Sequence, residues 1–236
     1  MTFLNQRFIT LIILTTASLP VLAESVDVKV IGTIIPAACT PTVAGGGTID
    51  YGDIKPSDLK KDDYTVLDVK TAELSISCDA ATKVAINAIN GRPGSLAGAT
   101  EAGPDSVGKS PITLSTEAGG FQAAVVGLGL SSNQAKIGGY AIYITDPIAD
   151  SKEVSLLYRN NPADTFSSSS NSNLPLYLTG GDRGVTWASS GSSDVLTFTT
   201  LNATLGIQAY INKVSELDLT QAVNLDGLTT IELEYL

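Results

Sequence analysis

The chain has 236 residues, 43% of them apolar and 16% charged, and its 24 acidic against 14 basic side chains leave a formal net charge of −10. So acidic a protein lacks the cationic footprint needed to bind phosphate backbones, which excludes nucleic acid as an expected partner. The sequence contains no histidine, so Ser-His-Asp and Cys-His catalytic arrangements and the usual zinc sites are ruled out.

Residues 1–23 read as a secretory leader. Arg7 precedes the apolar run Phe8-Ile9-Thr10-Leu11-Ile12-Ile13-Leu14, and the small-residue endpoint Val21-Leu22-Ala23 places cleavage after Ala23. The apolar run is too short to span a bilayer, and no later stretch reaches about 18 continuous apolar residues, so no membrane span is expected in the mature protein. Removing 23 of the 236 residues leaves 213, enough for one large all-β domain or two small ones. Cys39 and Cys78 are the two cysteines. In an oxidising compartment they are expected to form one disulfide, and closing a loop of about 40 residues stabilises by roughly 4 kcal/mol.

Along the chain, short alternating segments recur between turn residues, and helical stripes are scarce. Strands are expected at Val26–Val30, Leu74–Cys78, Val84–Ala88, Tyr140–Ile144, Val195–Phe198, Leu205–Ile211 and Ile231–Tyr235. Residues 91–120 read as a long Gly/Pro/Ala/Ser-rich excursion with one strand at Ile112-Thr113-Leu114. Ser167 to Asn173 reads as an exposed polar loop. This spacing predicts an all-β sandwich with long loops.

Motifs for chemistry are sparse. The glycines around Gly127-Leu128-Gly129 do not complete a dinucleotide fingerprint. Asn202-Ala203-Thr204 fits a glycosylation acceptor but sits among strands. The carboxylates of Asp58 to Asp63 belong to a solvent face, and no cofactor or enzymatic function is expected. Trp187 and Tyr177 fit a sugar-lining role or burial in a core equally well.

The ends of the mature chain are more informative. Val26, Val28, Val30, Gly32 and Ile34 alternate onto one face of the segment after the cleavage site. Thr229, Ile231, Leu233 and Tyr235 share one face of the last strand, with Glu232 and Glu234 opposite. Such strands are commonly ordinary members of a sheet; the first also suits insertion into another protein's groove.

Taken with Gly32, Cys39, Cys78 and the penultimate Tyr235, these segments resemble the chaperone–usher pilins. Ile34-Ile35-Pro36-Ala37-Ala38-Cys39-Thr40-Pro41-Thr42, Gly45-Gly46-Gly47-Thr48-Ile49-Asp50-Tyr51-Gly52, Lys136-Ile137-Gly138-Gly139-Tyr140 and Leu225-Asp226-Gly227 onward are similar to a fimbria-associated family of periplasmic proteins of unknown function. The resemblance implies an immunoglobulin-like, pilin-type sandwich with an incomplete sheet. It implies a donor strand within residues 24–35 (Val26, Val28, Val30, Gly32, Ile34), a sandwich domain over 36–236, and a chaperone-binding groove edge at Ile231, Leu233 and Tyr235. The implied partners are a periplasmic chaperone, an outer-membrane usher and neighbouring subunits, with passage through the periplasm to a fimbrium supporting adhesion. The alternative is a self-contained periplasmic or surface binding protein on the same fold. The chain is longer than a typical pilin, with the excess assigned to loops at 91–120 and 151–190.

Overall fold

The computed structural model describes residues 26–33, 37–115 and 123–236, so residues 1–23, read as a leader, and Ile34 lie outside the described residues. The chain divides between Ile35 and Pro36 into two units. In the first, residues 26–33 carry no regular secondary structure, and Val26, Val28, Val30 and Ile31 are exposed. The strand expected over Val26–Val30 is therefore not formed: alternation makes a segment competent to pair, but ladder hydrogen bonds are what make it a strand.

The second unit is all-β. Its strands are β1 (Cys39–Val43), β2 (Thr65–Val66), β3 (Lys70–Thr82), β4 (Val84–Asn90), β5 (Gly108–Lys109), β6 (Ala124–Gly127), β7 (Gly138–Ala149), β8 (Lys152–Arg159), β9 (Ser167–Ser168), β10 (Leu174–Pro175), β11 (Gly184–Ser189), β12 (Phe198–Ile211) and β13 (Thr229–Tyr235). Neighbours follow the order β1-β3-β12-β7-β8-β11-β4-β13. These pairings are antiparallel, and the path folds over into a nearly closed sandwich. One layer is β1-β3-β12-β7 and the other β8-β11-β4-β13.

Period-two patterning builds the layers. Leu74 and Ile76 of β3 and Leu201, Ala203, Leu205 and Ile207 of β12 point inward and are buried, while Ser77, Thr200 and Asn202 face solvent. The layers join through the β7–β8 hairpin, whose two turn residues Asp150 and Ser151 have φ of 46° and 66°. Both values suit a turn whose twist matches that of the flanking strands. The Asp150 carboxylate accepts hydrogen bonds from the Thr199 hydroxyl at 2.7 Å and from the Thr200 and Thr199 amides at 2.9 and 3.2 Å, tying the hairpin to β12 and holding its own pKa below the usual carboxylate range. Cys39 and Cys78 are joined in a disulfide and lie opposite each other in the β1–β3 pair.

Trp187 and Phe198 meet edge to face at 5.6 Å in the core, and Tyr177 is also buried. Burial removes Trp187 and Tyr177 from any sugar-lining role.

Three expectations need correction. Ile112–Leu114 is not a strand. Pro111 withdraws a donor there, and Leu114 instead plugs a small second core with Leu96, Val125, Ala141 and Tyr210 on the outer face of β7 and β12. Residues 91–115 thus cover a sheet face, and the Tyr210 hydroxyl donates to the Ala97 carbonyl at 2.7 Å. The 151–190 stretch is not a loop: it holds β8 to β11, of which β8 and β11 form half of one layer while β10 pairs with β7. Of Val195–Phe198 only Phe198 is in a strand, since Val195 makes an isolated bridge with Ala188.

Candidate functional site: a cleft between two edge strands

β1 and β13 are the two ends of the strand path, and among the described residues each pairs on one side only. Between them lies a cleft of about 330 Å³ walled by Pro41 and Val43 on one side and Thr229 and Ile231 on the other, with Leu74 and Ile207 on its floor. A second cavity of about 740 Å³ shares Ile49, Tyr51 and Leu225 with it and continues over Ile137 and Ile211. The two form one trench, its far half flanked by the irregular segments 48–59 and 217–225.

The structure brings the predicted edge residues to the trench in different ways. Ile231 lines it, Leu233 is half-buried against the main core, and Tyr235 is 51% exposed, its hydroxyl accepting a hydrogen bond from the Cys39 amide at 2.8 Å. Among the described donor residues, Val26, Val28, Val30 and Gly32 are exposed.

Main-chain direction makes the two edges chemically unequal. Leu228 accepts from the Gly91 amide at 2.8 Å, and Leu236 donates to Lys83 at 3.1 Å. In an antiparallel pair, hydrogen-bonded residues alternate, so Thr230, Glu232 and Glu234 bond to β4. The amides and carbonyls of Thr229, Ile231, Leu233 and Tyr235 therefore point to the open edge. On β1, Ala38 accepts from Asp79 at 2.9 Å, which turns Cys39, Pro41 and Val43 outward. Pro41 has no N–H and the Cys39 N–H is held by Tyr235. The β13 edge thus offers an uninterrupted ladder, and the β1 edge is short of donors.

The start of β13 is fixed by packing and polar contacts. Arg92 grips the Asp226 carboxylate with Nη2 at 2.7 Å and Nε at 2.9 Å, holding that carboxyl below its usual range. A Cβ on Gly91 would lie 2.6 Å from Leu228, so only glycine admits this close approach. Inside the trench, Thr229 Oγ1 bonds to the hydroxyls of Tyr140 at 2.6 Å and Tyr177 at 2.9 Å. Tyr51 donates to the Ile207 carbonyl at 3.2 Å. Burial pushes the Tyr51 and Tyr140 phenols up to about 12 and Tyr177 higher still, so all three act as neutral hydrogen-bonding groups.

On the opposite face of β13, Glu232 and Glu234, which alternation places together, have different surroundings. Glu232 is exposed, but Glu234 forms an ion pair with the buried Arg159 and accepts from Asn87 Nδ2 at 3.3 Å. Sequence reasoning missed Arg159, Tyr51 and Pro41. Pro41, in a segment later paired on one side, carried a usable signal, since proline within a strand marks a free edge. Among the described residues no group of three or more His, Cys, Asp or Glu side chains converges to hold a metal, and no helix is long and apolar enough to cross a membrane. Neutral phenols, apolar walls and an open main-chain edge are suited to gripping an extended peptide.

The chain is similar to a family of unknown function. The match, to the family described as protein of unknown function (DUF1120), covers residues 28–141, from the exposed N-terminal segment into the first third of β7. Over 227 residues the chain is 29% identical to Protein GltF of Escherichia coli (strain K12), covering 89% of this chain and 88% of that protein. It is 33% identical over 123 residues to Uncharacterized protein YhcF of the same organism, spanning 51% of this chain and 49% of that protein.

Proposed function

We propose that the protein is an exported, non-catalytic structural subunit or minor component of a chaperone–usher fimbria, supporting adhesion. It would be captured in the periplasm by a chaperone, passed to an outer-membrane usher, and joined to neighbouring subunits at the cell surface by strand exchange. The observation that carries this reading is the trench between β1 and β13, with its open β13 edge and apolar floor. An incoming strand would add its main chain to β13 and drop alternate side chains onto Leu74 and Ile207. The donor of that strand is the 24–35 segment of another copy or of a neighbouring subunit, where Val26, Val28, Val30, Gly32 and Ile34 alternate.

Two measurements test the proposal. Exported alone, the protein should be degraded or aggregate, because an unpaired apolar edge templates association, and co-expression with a periplasmic chaperone should rescue its yield. A synthetic peptide of residues 24–35 should bind the chaperone-released subunit. A monodisperse, heat-stable monomer that needs no chaperone and ignores the peptide would instead support the self-contained binding protein.

A further inference from the structure

We infer that the Tyr235 hydroxyl occupies the place of a strand carbonyl on β1, and that an inserted strand enters by taking the Cys39 N–H from it. The inference rests on the strand-binding reading above and identifies the residue that governs entry. The Cys39 amide is turned to the open edge because Ala38, its neighbour, bonds to β3 through Asp79. Pro41 offers no N–H, so of the three outward-facing β1 residues only Cys39 and Val43 can donate. The Cys39 donor is met by Tyr235 Oη at 2.8 Å, across the cleft from the opposite edge strand. Tyr235 is 51% exposed, so solvent reaches its ring and the hydrogen bond it accepts, while Ile231 lines the cleft. The disulfide anchors this point, since Cys39 is fixed on Cys78 of β3.

An inserted strand whose carbonyl faces Cys39 can make the same hydrogen bond only once Tyr235 has let go. The hydroxyl therefore satisfies an exposed edge donor before insertion and competes with the strand during it. Tyr235→Phe keeps the ring and removes the competitor.

The experiment uses the exported, chaperone-released full chain, the synthetic peptide of residues 24–35, and the single tryptophan, Trp187, as a folding check. In the free protein, Tyr235→Phe should speed hydrogen exchange of the Cys39 amide by about five-fold, roughly the factor of one net hydrogen bond. It should accelerate peptide association by a similar factor, and bound peptide should protect the Cys39 amide equally in both proteins. In the wild type, which needs no variant to fold, the Tyr235 ring resonances should move on peptide binding. Unchanged Cys39 exchange in the variant, or unchanged or slower association, overturns the inference while leaving strand binding intact. Failure of the peptide to bind either protein, with both folded, overturns the strand-binding reading and this inference with it.

Discussion

Arg159 of β8 reaches Glu234 of β13 by lying across Gly184, with β11 and β4 between the two partners. A Cβ on Gly184 would sit 2.8 Å from Arg159 Nε, so the glycine opens the path for the guanidinium. The pair holds the open-edge strand onto the sheet from the face opposite the trench, and Phe166 covers the guanidinium at 5.0 Å.

Removing one partner leaves the other charge partly buried and alone. Glu234→Gln should lower stability by about 1–3 kcal/mol, less than a fully buried pair because the Glu234 side chain is 34% exposed. Glu232→Gln should stay within about 0.5 kcal/mol. Urea titration followed by Trp187 emission distinguishes them, and equal effects would contradict the ion pair's role. Gly184→Ala should cost as much as Glu234→Gln, since it displaces the same arginine.

The trench-facing side of β13 should respond to charge. Leu233→Asp places a carboxylate on a half-buried apolar position and should cost about 2 kcal/mol or more. Ile231→Asp should be at least as severe and should abolish binding of the 24–35 peptide. Normal accumulation of either variant in the periplasm would put the strand's register in doubt.

The disulfide should contribute strongly. Cys39→Ser or Cys78→Ser should destabilise by about 2–5 kcal/mol and reduce the yield of exported protein, because among the described residues β1 pairs with β3 alone. Mass spectrometry of unreduced, alkylated protein should find neither thiol modified.

Alkaline pH should weaken the fold through four of the eight tyrosines. Burial raises Tyr51 and Tyr140 from 10.0 to about 12, and raises Tyr177 and Tyr210 further. The folded state therefore keeps these protons where the unfolded chain has lost them. Their stabilisation is complete below pH 10 and declines as pH rises through 12. Native absorbance titration should show these phenols ionising together with unfolding; early, reversible ionisation of all eight would refute their burial.

The alternating patterns at Leu74–Cys78 and Ile231–Tyr235 were legible because a strand with one face on the core carries period two, whereas Val84–Ala88 and Leu205–Ile211 alternate in sequence although both faces are largely buried. β8 and β11 were not legible, because β11 is buried along nearly all its length and β8 passes from an exposed start to a buried end, and neither kind of run carries a period. The 91–115 segment misled for a related reason: Gly-, Pro- and Ala-rich composition marks irregular backbone, and irregular backbone can still cover a sheet.

By itself the sequence determined an all-β chain stapled at Cys39 and Cys78, with a last strand whose apolar face carries Ile231, Leu233 and Tyr235. Those are properties of neighbouring residues and of side-chain chemistry. Only the tertiary structure decided that β1 and β13 are the two unpaired edges, that a trench separates them, that Tyr235 reaches across it to Cys39, and that Glu234 belongs to Arg159. Each of these joins residues 75 to 196 positions apart, and which edges remain open depends on how every other strand has paired.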